Sequence, residues 1–272
     1  MNNKNIIVSC TTTKDRLHML YYMIQSIKNQ ELMPNILYIN ISRENYLYDN
    51  GIYKVPKWLN QNFIRINQTD NIGSYRKLLP IIKIAKDNDL IITADDDILY
   101  GQRWIKSLVE LAENYPKHIV CARAREMKKN IFGIWQNYSL WSLISSAKDG
   151  ILILPTGGAG AVYRKELLDL SFLLDPAFKK LAPTTDDLWV RMASMKINVP
   201  VYVEPSIDME NIYLKQDKSL YQVNQNAHCG YIEKIYENTF GLVRDWLGIN
   251  ATENDRSWSR IVKYSAYSKI FI

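Results

Sequence analysis

Leu90-Ile91-Ile92-Thr93-Ala94-Asp95-Asp96-Asp97 is an apolar run that ends in three consecutive carboxylates. Its first residues are of strand type, so the acids fall at the carboxyl end of a buried strand. A helical pattern from Gln102 to Asn114 follows, and strand, acids and helix make one α/β step. Open α/β sheets bind their ligands at the carboxyl ends of strands. Three adjacent anions repel one another, and a hard divalent cation relieves that repulsion. Magnesium or manganese is held by one or two carboxylates while phosphates and water complete the octahedron. If the backbone stays extended, Asp95 and Asp97 share one side and Asp96 faces the other. The Asp-x-Asp-x-Asp-Gly pattern of a calcium loop is absent. The plain alternative is a strand end turning into a solvated loop.

Outward from this run, strand and helix patterns alternate as in a mostly parallel sheet covered by helices. Ile6 to Cys10 reads as a first strand and Arg16 to Ile27 as a helix with Leu17, Leu20, Met23, Ile24 and Ile27 on one face. Ile36 to Ile41 and Phe63 to Ile66 supply two more strands. Ser74 to Ala85 reads as a helix that Pro80 should kink or shorten. Ile119 to Ala122 and Val199 to Val203 complete the strands, and Leu188 to Met195 is helical. The rhythm changes near residue 125, where aromatics crowd Phe132 to Trp141, before glycines gather at Gly157, Gly158 and Gly160. The expected organisation is one α/β domain over 1–238, with a nucleotide-binding half (1–124) and an acceptor-binding half (125–238). A basic aromatic tail at 239–272 follows.

The chain has 272 residues, 47% hydrophobic and 23% charged, which suits an ordinary globular protein with a sizeable core. No run of 18 apolar residues exists to span a membrane, and the first apolar run is too short for a signal peptide. Cys10, Cys121 and Cys229 are odd in number and widely spaced, which argues against a disulfide framework or a zinc site. The cytoplasm is the expected compartment. The formal charge of +6 suits an anionic ligand, a membrane surface or nucleic acid equally. No zinc-finger spacing, RNP-like motif or long basic run is present, so nucleic acid is not an expected partner.

Four segments carry a more specific signal. Ser9-Cys10-Thr11-Thr12-Thr13-Lys14-Asp15-Arg16 ends the first strand with hydroxyls and an arginine. Asp70-Asn71-Ile72-Gly73-Ser74-Tyr75-Arg76-Lys77 joins a carboxylate, a glycine and two cations before a helix, where backbone N–H groups favour anions. The triple acid is the third, and Thr185-Asp186-Asp187-Leu188-Trp189 the fourth. In this order they resemble the GT-A glycosyltransferases, above all bacterial family-2-type enzymes that build surface polysaccharides such as lipopolysaccharide or capsule. The resemblance runs from Ile6 to about Pro205. It implies a GT-A, Rossmann-like α/β fold. Each segment also has a plainer reading as a helix cap or a tight turn.

The resemblance implies roles residue by residue. Thr11, Thr13 and Arg16 would meet the base and ribose, and Asp70, Gly73, Arg76 and Lys77 the base and diphosphate. Asp97 would hold Mn²⁺ or Mg²⁺, Asp95 the nucleotide sugar, and Asp96 falls on the donor side with it. Gly157 and Gly158, in a glycine loop without the Gly-Lys-Ser/Thr ending of a phosphate loop, would line the donor sugar. Asp187 would be the general base, Asp186 its support, and Trp189 an acceptor contact. His228 falls where a late metal ligand can enter. The implied reaction is inverting transfer from a nucleotide-diphosphate sugar to a hydroxyl of a glycan or lipid-linked acceptor. Two alternatives stand beside it: a sugar-phosphate nucleotidyltransferase, and a non-catalytic nucleotide- or carbohydrate-binding protein. Ser9 to Arg16 contains no glycine, which speaks against the nucleotidyltransferase. The tail, with Phe240, Trp246, Trp258, Tyr264 and Tyr267 among arginines and lysines, is read as a peripheral contact with the inner face of the membrane, as packing on the domain, or as a dimer contact.

Overall fold

The structure is a computed structural model that describes residues 4–47, 49–214 and 241–268. Its centre is an eight-stranded sheet. The strands are β1 (Ile6–Thr11), β2 (Ile36–Ile41), β3 (Ile64–Gln68), β4 (Leu90–Asp95), β6 (Ile119–Cys121), β8 (Lys148–Gly150), β10 (Ala161–Tyr163) and β11 (Val201–Val203). The order across the sheet is β3-β2-β1-β4-β10-β6-β11-β8. β10 and β8 run antiparallel to their neighbours and the remaining pairs are parallel. The mostly parallel α/β architecture is therefore present. Two short antiparallel pairs, β5 (Ile98–Leu99) with β12 (Ile212–Tyr213) and β7 (Ala124–Glu126) with β9 (Ile153–Pro155), form separate two-stranded sheets.

The chain moves from β1 to β2 and β3 on one side and places β4 on the other, so the order switches between β1 and β4. In that register Thr11 lies beside Asp95. A crevice opens at such a switch point because the connections leave in opposite directions. The first hydroxyl segment and the triple acid thus share one edge.

Strand residues alternate between two cores. Val8, Cys10, Leu90, Ile92 and Ala94 join Leu20, Met23, Ile24 and Ile27 of α1 (Leu17–Lys28) and Trp104, Ile105 and Leu108 of α3 (Trp104–Asn114). Ile7 and Ile91 face the opposite core, with Leu79 and Ile82 of α2 (Leu79–Ile84), Leu188 and Trp189 of α6 (Asp186–Met195), and Trp258. Burial on both faces explains why β4 reads as a continuous apolar run rather than an alternating one.

One expectation changes, one holds, and one strand is new. The helix read over Ser74 to Ala85 is two pieces, a 3₁₀ turn at Gly73–Lys77 and α2, with Pro80 in the first turn of α2, where its missing N–H costs nothing. The α6 helix starts at Asp186, so both acids stand in its first turn. β10, an antiparallel strand in mid-sheet, has three residues, too few to show a period.

The described part of the tail forms two helices, α7 (Leu242–Trp246) and α8 (Glu253–Ser268). Trp258 and Ile261 are buried in the core, and Tyr264 donates to Asp175 Oδ2 at 2.5 Å. Asp255 caps the start of α8 by accepting from Thr252 N and, across the fold, from Tyr138 N at 2.7 Å. Trp258 and Tyr264 pack on the domain, the second of the readings above, and Phe240 lies outside the described residues. No helix among the described residues is long and apolar enough to cross one.

Candidate active site

The two acidic clusters, distant in sequence, meet in one cleft. Lys77 Nζ lies 3.2 Å from Asp95 Oδ1 and 3.3 Å from Asp186 Oδ2, and its side chain is only 8% exposed. Burial opposes the Lys77 ammonium, yet Asp186 and Asp95 hold its pKa well above the usual lysine value. Asp187 Oδ1 accepts from Gly157 N at 3.2 Å. Burial first, and the Asp186 charge second, push the Asp187 pKa up to about 7. A carboxyl with that pKa is half ionised at neutral pH, the range in which a general base works best.

The glycine loop lies against both clusters, Gly157 beside Asp187 and Gly158 beside Asp95. Gly157–Ala159 forms a 3₁₀ turn, and its three carbonyls accept in succession from Thr93 Oγ1 at 3.0 Å, Tyr100 OH at 2.7 Å and Trp104 Nε1 at 2.7 Å. Tyr100 OH also accepts from Asp95 N at 2.8 Å, which fixes the acid and the loop to one hydroxyl. A Cβ on Gly158 would sit 2.2 Å from Asp95 Oδ2, so only glycine fits against that carboxylate. Thr93 carried a signal in the sequence, as the single polar residue within an apolar strand. Tyr100 and Trp104 carried none, because nothing local shows that their polar atoms turn inward to a loop sixty residues on.

The triple acid departs from simple alternation. β4 ends at Asp95, and Asp96 and Asp97 form a turn. Arg16 draws both together: its Nε donates to Asp96 Oδ2 at 3.1 Å and its Nη2 lies 3.0 Å from Asp97 Oδ2. Asp96 is buried, which pushes its pKa up to about 6 against the pull of Arg16. Asp97 is raised by burial and then by the charge of Asp95. Asp95 and Asp97 keep partly exposed carboxylates on the cleft.

Other expected site residues are placed as follows. Thr11 Oγ1 donates to Asn40 O at 2.9 Å, and Thr13 precedes the 3₁₀ turn that carries Arg16. Asp70 is exposed on the loop before Gly73, whose φ of 61° is a left-handed conformation suited to glycine. Arg76 corrects its expectation of phosphate contact: it is buried, paired with Asp49 at 2.8 Å, and donates to Gly73 O, so it shapes the loop. Trp189 corrects another, since it is fully buried against Phe172 and Tyr264 and donates to Leu173 O. Its ring belongs to the core and is not offered to an acceptor. Asp96 is buried and accepts from Arg16 Nε. His228 lies outside the described residues.

The described residues hold no group of three or more His, Cys, Asp or Glu side chains placed to ligate a metal. The arrangement still suits a cation of the oxygen-loving kind. Five carboxylates, Asp95, Asp96, Asp97, Asp186 and Asp187, share Arg16 and Lys77 as counter-charges, and three of the five have raised pKa values. Asp95 and Asp97, whose carboxylates are partly exposed, are the residues that could offer oxygen ligands to magnesium or manganese.

Comparison with known proteins places this cleft in a family. The family model described as Glycosyl transferase family 2 matches residues 9–172, more than half of the chain and all of the strand-end segments. The chain belongs to glycosyl transferase family 2. The match covers the triple acid and the glycine loop of this family-2 domain and ends before Asp186. No curated protein matches the chain. Among solved structures, 2-C-methyl-D-erythritol 4-phosphate cytidylyltransferase of Francisella tularensis is similar, with 17% identity over 81% of this chain and 99% of that one and a TM-score of 0.47.

Proposed function

We propose that this family-2 protein is an inverting glycosyltransferase that moves a sugar from a nucleotide-diphosphate donor to a hydroxyl of a glycan or lipid-linked acceptor. One observation carries the reading: Lys77 ties the strand-end acid Asp95 to the helix-start acid Asp186, and thereby sets Asp187 across the glycine loop from the triple acid. A donor side and an acceptor side then face each other over a gap floored by glycine.

The nucleotide lies along the switch point, with Thr11, Thr13 and Arg16 at the end of β1 and Asp70 and Gly73 on the far rim. Asp97, with Asp95, would hold Mn²⁺ or Mg²⁺, and when bound the cation supplies charge neutralisation for the diphosphate leaving group. Gly157 and Gly158 let the sugar ring approach the backbone closely. Asp187 takes the proton of the acceptor hydroxyl as its oxygen bonds to the anomeric carbon, while the bond from that carbon to the diphosphate oxygen breaks on the opposite face. A single displacement of this kind inverts the anomeric configuration. Asp186 keeps its pairing with Lys77, and its charge holds the Asp187 proton affinity high enough for the task. Synthesis of a surface polysaccharide is the proposed setting.

Calorimetry of nucleotide-diphosphate sugars, with manganese and with chelator, tests the donor half of this reading. Binding that depends on manganese and weakens in Asp97→Asn is expected. Equal affinity in the presence of chelator would remove the cation from the account.

A further inference from the structure

A second cavity lies apart from the acidic cleft, between the 134–141 segment and the N-terminal half of α8. We propose that it binds a pyranose residue of a glycan. Its volume is about 160 Å³, and Trp135, Trp141 and Trp258 stand in its wall. Trp258 packs edge-on to both others, with ring centroids 5.2 Å from Trp135 and 5.8 Å from Trp141. Asn254 lines the same space and is 9% exposed. Its side-chain amide has no hydrogen-bond partner among the described residues, and neither has that of Gln136 across the cavity. The Trp258 indole N–H is also buried without a partner among them.

A buried N–H without a partner, as on Trp258, is costly, and native structures give such a group a partner, whether protein, water or ligand. The composition of the wall selects the kind of ligand. An aliphatic occupant would leave the amides of Asn254 and Gln136 unmet. A pyranose has an apolar C–H face for aromatic rings and a rim of hydroxyls that both donate and accept, which is what an amide side chain complements. None of the acids of the transfer cleft lines this cavity. The inference therefore goes beyond the proposed transfer site, and a glycan held here would be tethered by a sugar other than the reacting one.

The test is a titration of tryptophan emission in the intact chain, without nucleotide. The probes are methyl β-glucopyranoside, methyl β-galactopyranoside and the methyl β-glycoside of N-acetylglucosamine, with glycerol as the polyol control. A saturable change with at least one glycoside, at about 1–50 mM, is expected, and none with glycerol. Asn254→Leu removes the amide and Ser259→Phe fills the space, and each should weaken binding by about tenfold or more. Thermal midpoints show which variants remain folded, and Ser259→Phe decides the matter if Asn254→Leu does not. Asp187→Asn should leave this titration unchanged, which separates the cavity from the transfer site. No saturable response up to roughly 100 mM, or unchanged affinity in folded variants, would overturn the proposal and leave a cavity holding water only.

Discussion

Replacing Lys77 with methionine keeps the length and most of the volume of the stem and removes the one charge that joins the two acidic clusters. In the wild type that ammonium sits 3.2 Å from Asp95 and 3.3 Å from Asp186 with little access to water. Removing one partner from a buried ion pair costs about 3–5 kcal/mol, because the remaining charge is left without compensation. Release of the desolvated ammonium offsets part of this, so about 2–4 kcal/mol is expected at pH 8. For a chain of this size that is a fall in Tm of about 4–16 °C. The sign of the pH effect follows from Asp187, whose folded pKa of about 7 lies above the ordinary carboxylate value of 3.8. A folded state that holds the proton more tightly than the unfolded chain loses stability as pH rises through that window. Loss of Lys77 moves the Asp187 pKa further up. The deficit of Lys77→Met should therefore be smaller at pH 5 than at pH 8, because Asp187 is already neutral there, while the lost pairing with Asp95 and Asp186 remains. Urea unfolding followed by tryptophan emission at pH 5 and pH 8 measures both values. Equal deficits at the two pH values, or a loss below about 1 kcal/mol at pH 8, would show that Lys77 does not neutralise the cluster.

Two further outcomes follow. Transfer at saturating donor should fall about tenfold per pH unit below an apparent pKa near 7, since Asp187 must be ionised to take a proton; a rate flat from pH 5 to 8 would disconnect Asp187 from the chemistry. Gly158→Ala places a Cβ on the Asp95 carboxylate, 2.2 Å from Oδ2, and should weaken manganese-dependent donor binding by about tenfold or more with the fold intact; unchanged affinity would mean that the position of Asp95 does not matter.

Much of the donor edge was legible because its signals are local. The run Leu90 to Asp97 gives an apolar strand and its charged end in eight consecutive residues, and α1 and α3 show their buried faces at helical spacing. Pro80 announced a break, and the break is there. What stayed hidden depends on distant partners. Arg76 reads as a phosphate ligand from its neighbours in sequence, but its partner Asp49 is brought in by the loop after β2. Trp189 reads as a surface aromatic beside two acids, yet one helical step turns it onto Phe172 and the C-terminal helix. Asp96 was expected to alternate away from its neighbours, and the chain turns there because Arg16 gathers Asp96 and Asp97 together. The tail shows the same limit, since an amphipathic aromatic helix has one pattern whether its apolar face meets lipid or protein. Trp258 and Ile261 meet protein.

The central claim is that Asp187 is the base and the triple acid serves the donor, and Asp187→Asn separates the two. The side-chain amide can still accept from Gly157 N, so the cleft keeps its shape. The decisive measurement pairs donor affinity by calorimetry with the transfer rate of the same variant, on a donor and acceptor that the wild type turns over, with the product's anomeric configuration read by NMR. The account predicts donor affinity within a few-fold of wild type, a rate lower by about two to four orders of magnitude, and an inverted product from the wild type. A rate near normal in folded Asp187→Asn, or retained configuration, would contradict it and leave the acidic pair as the cap of α6.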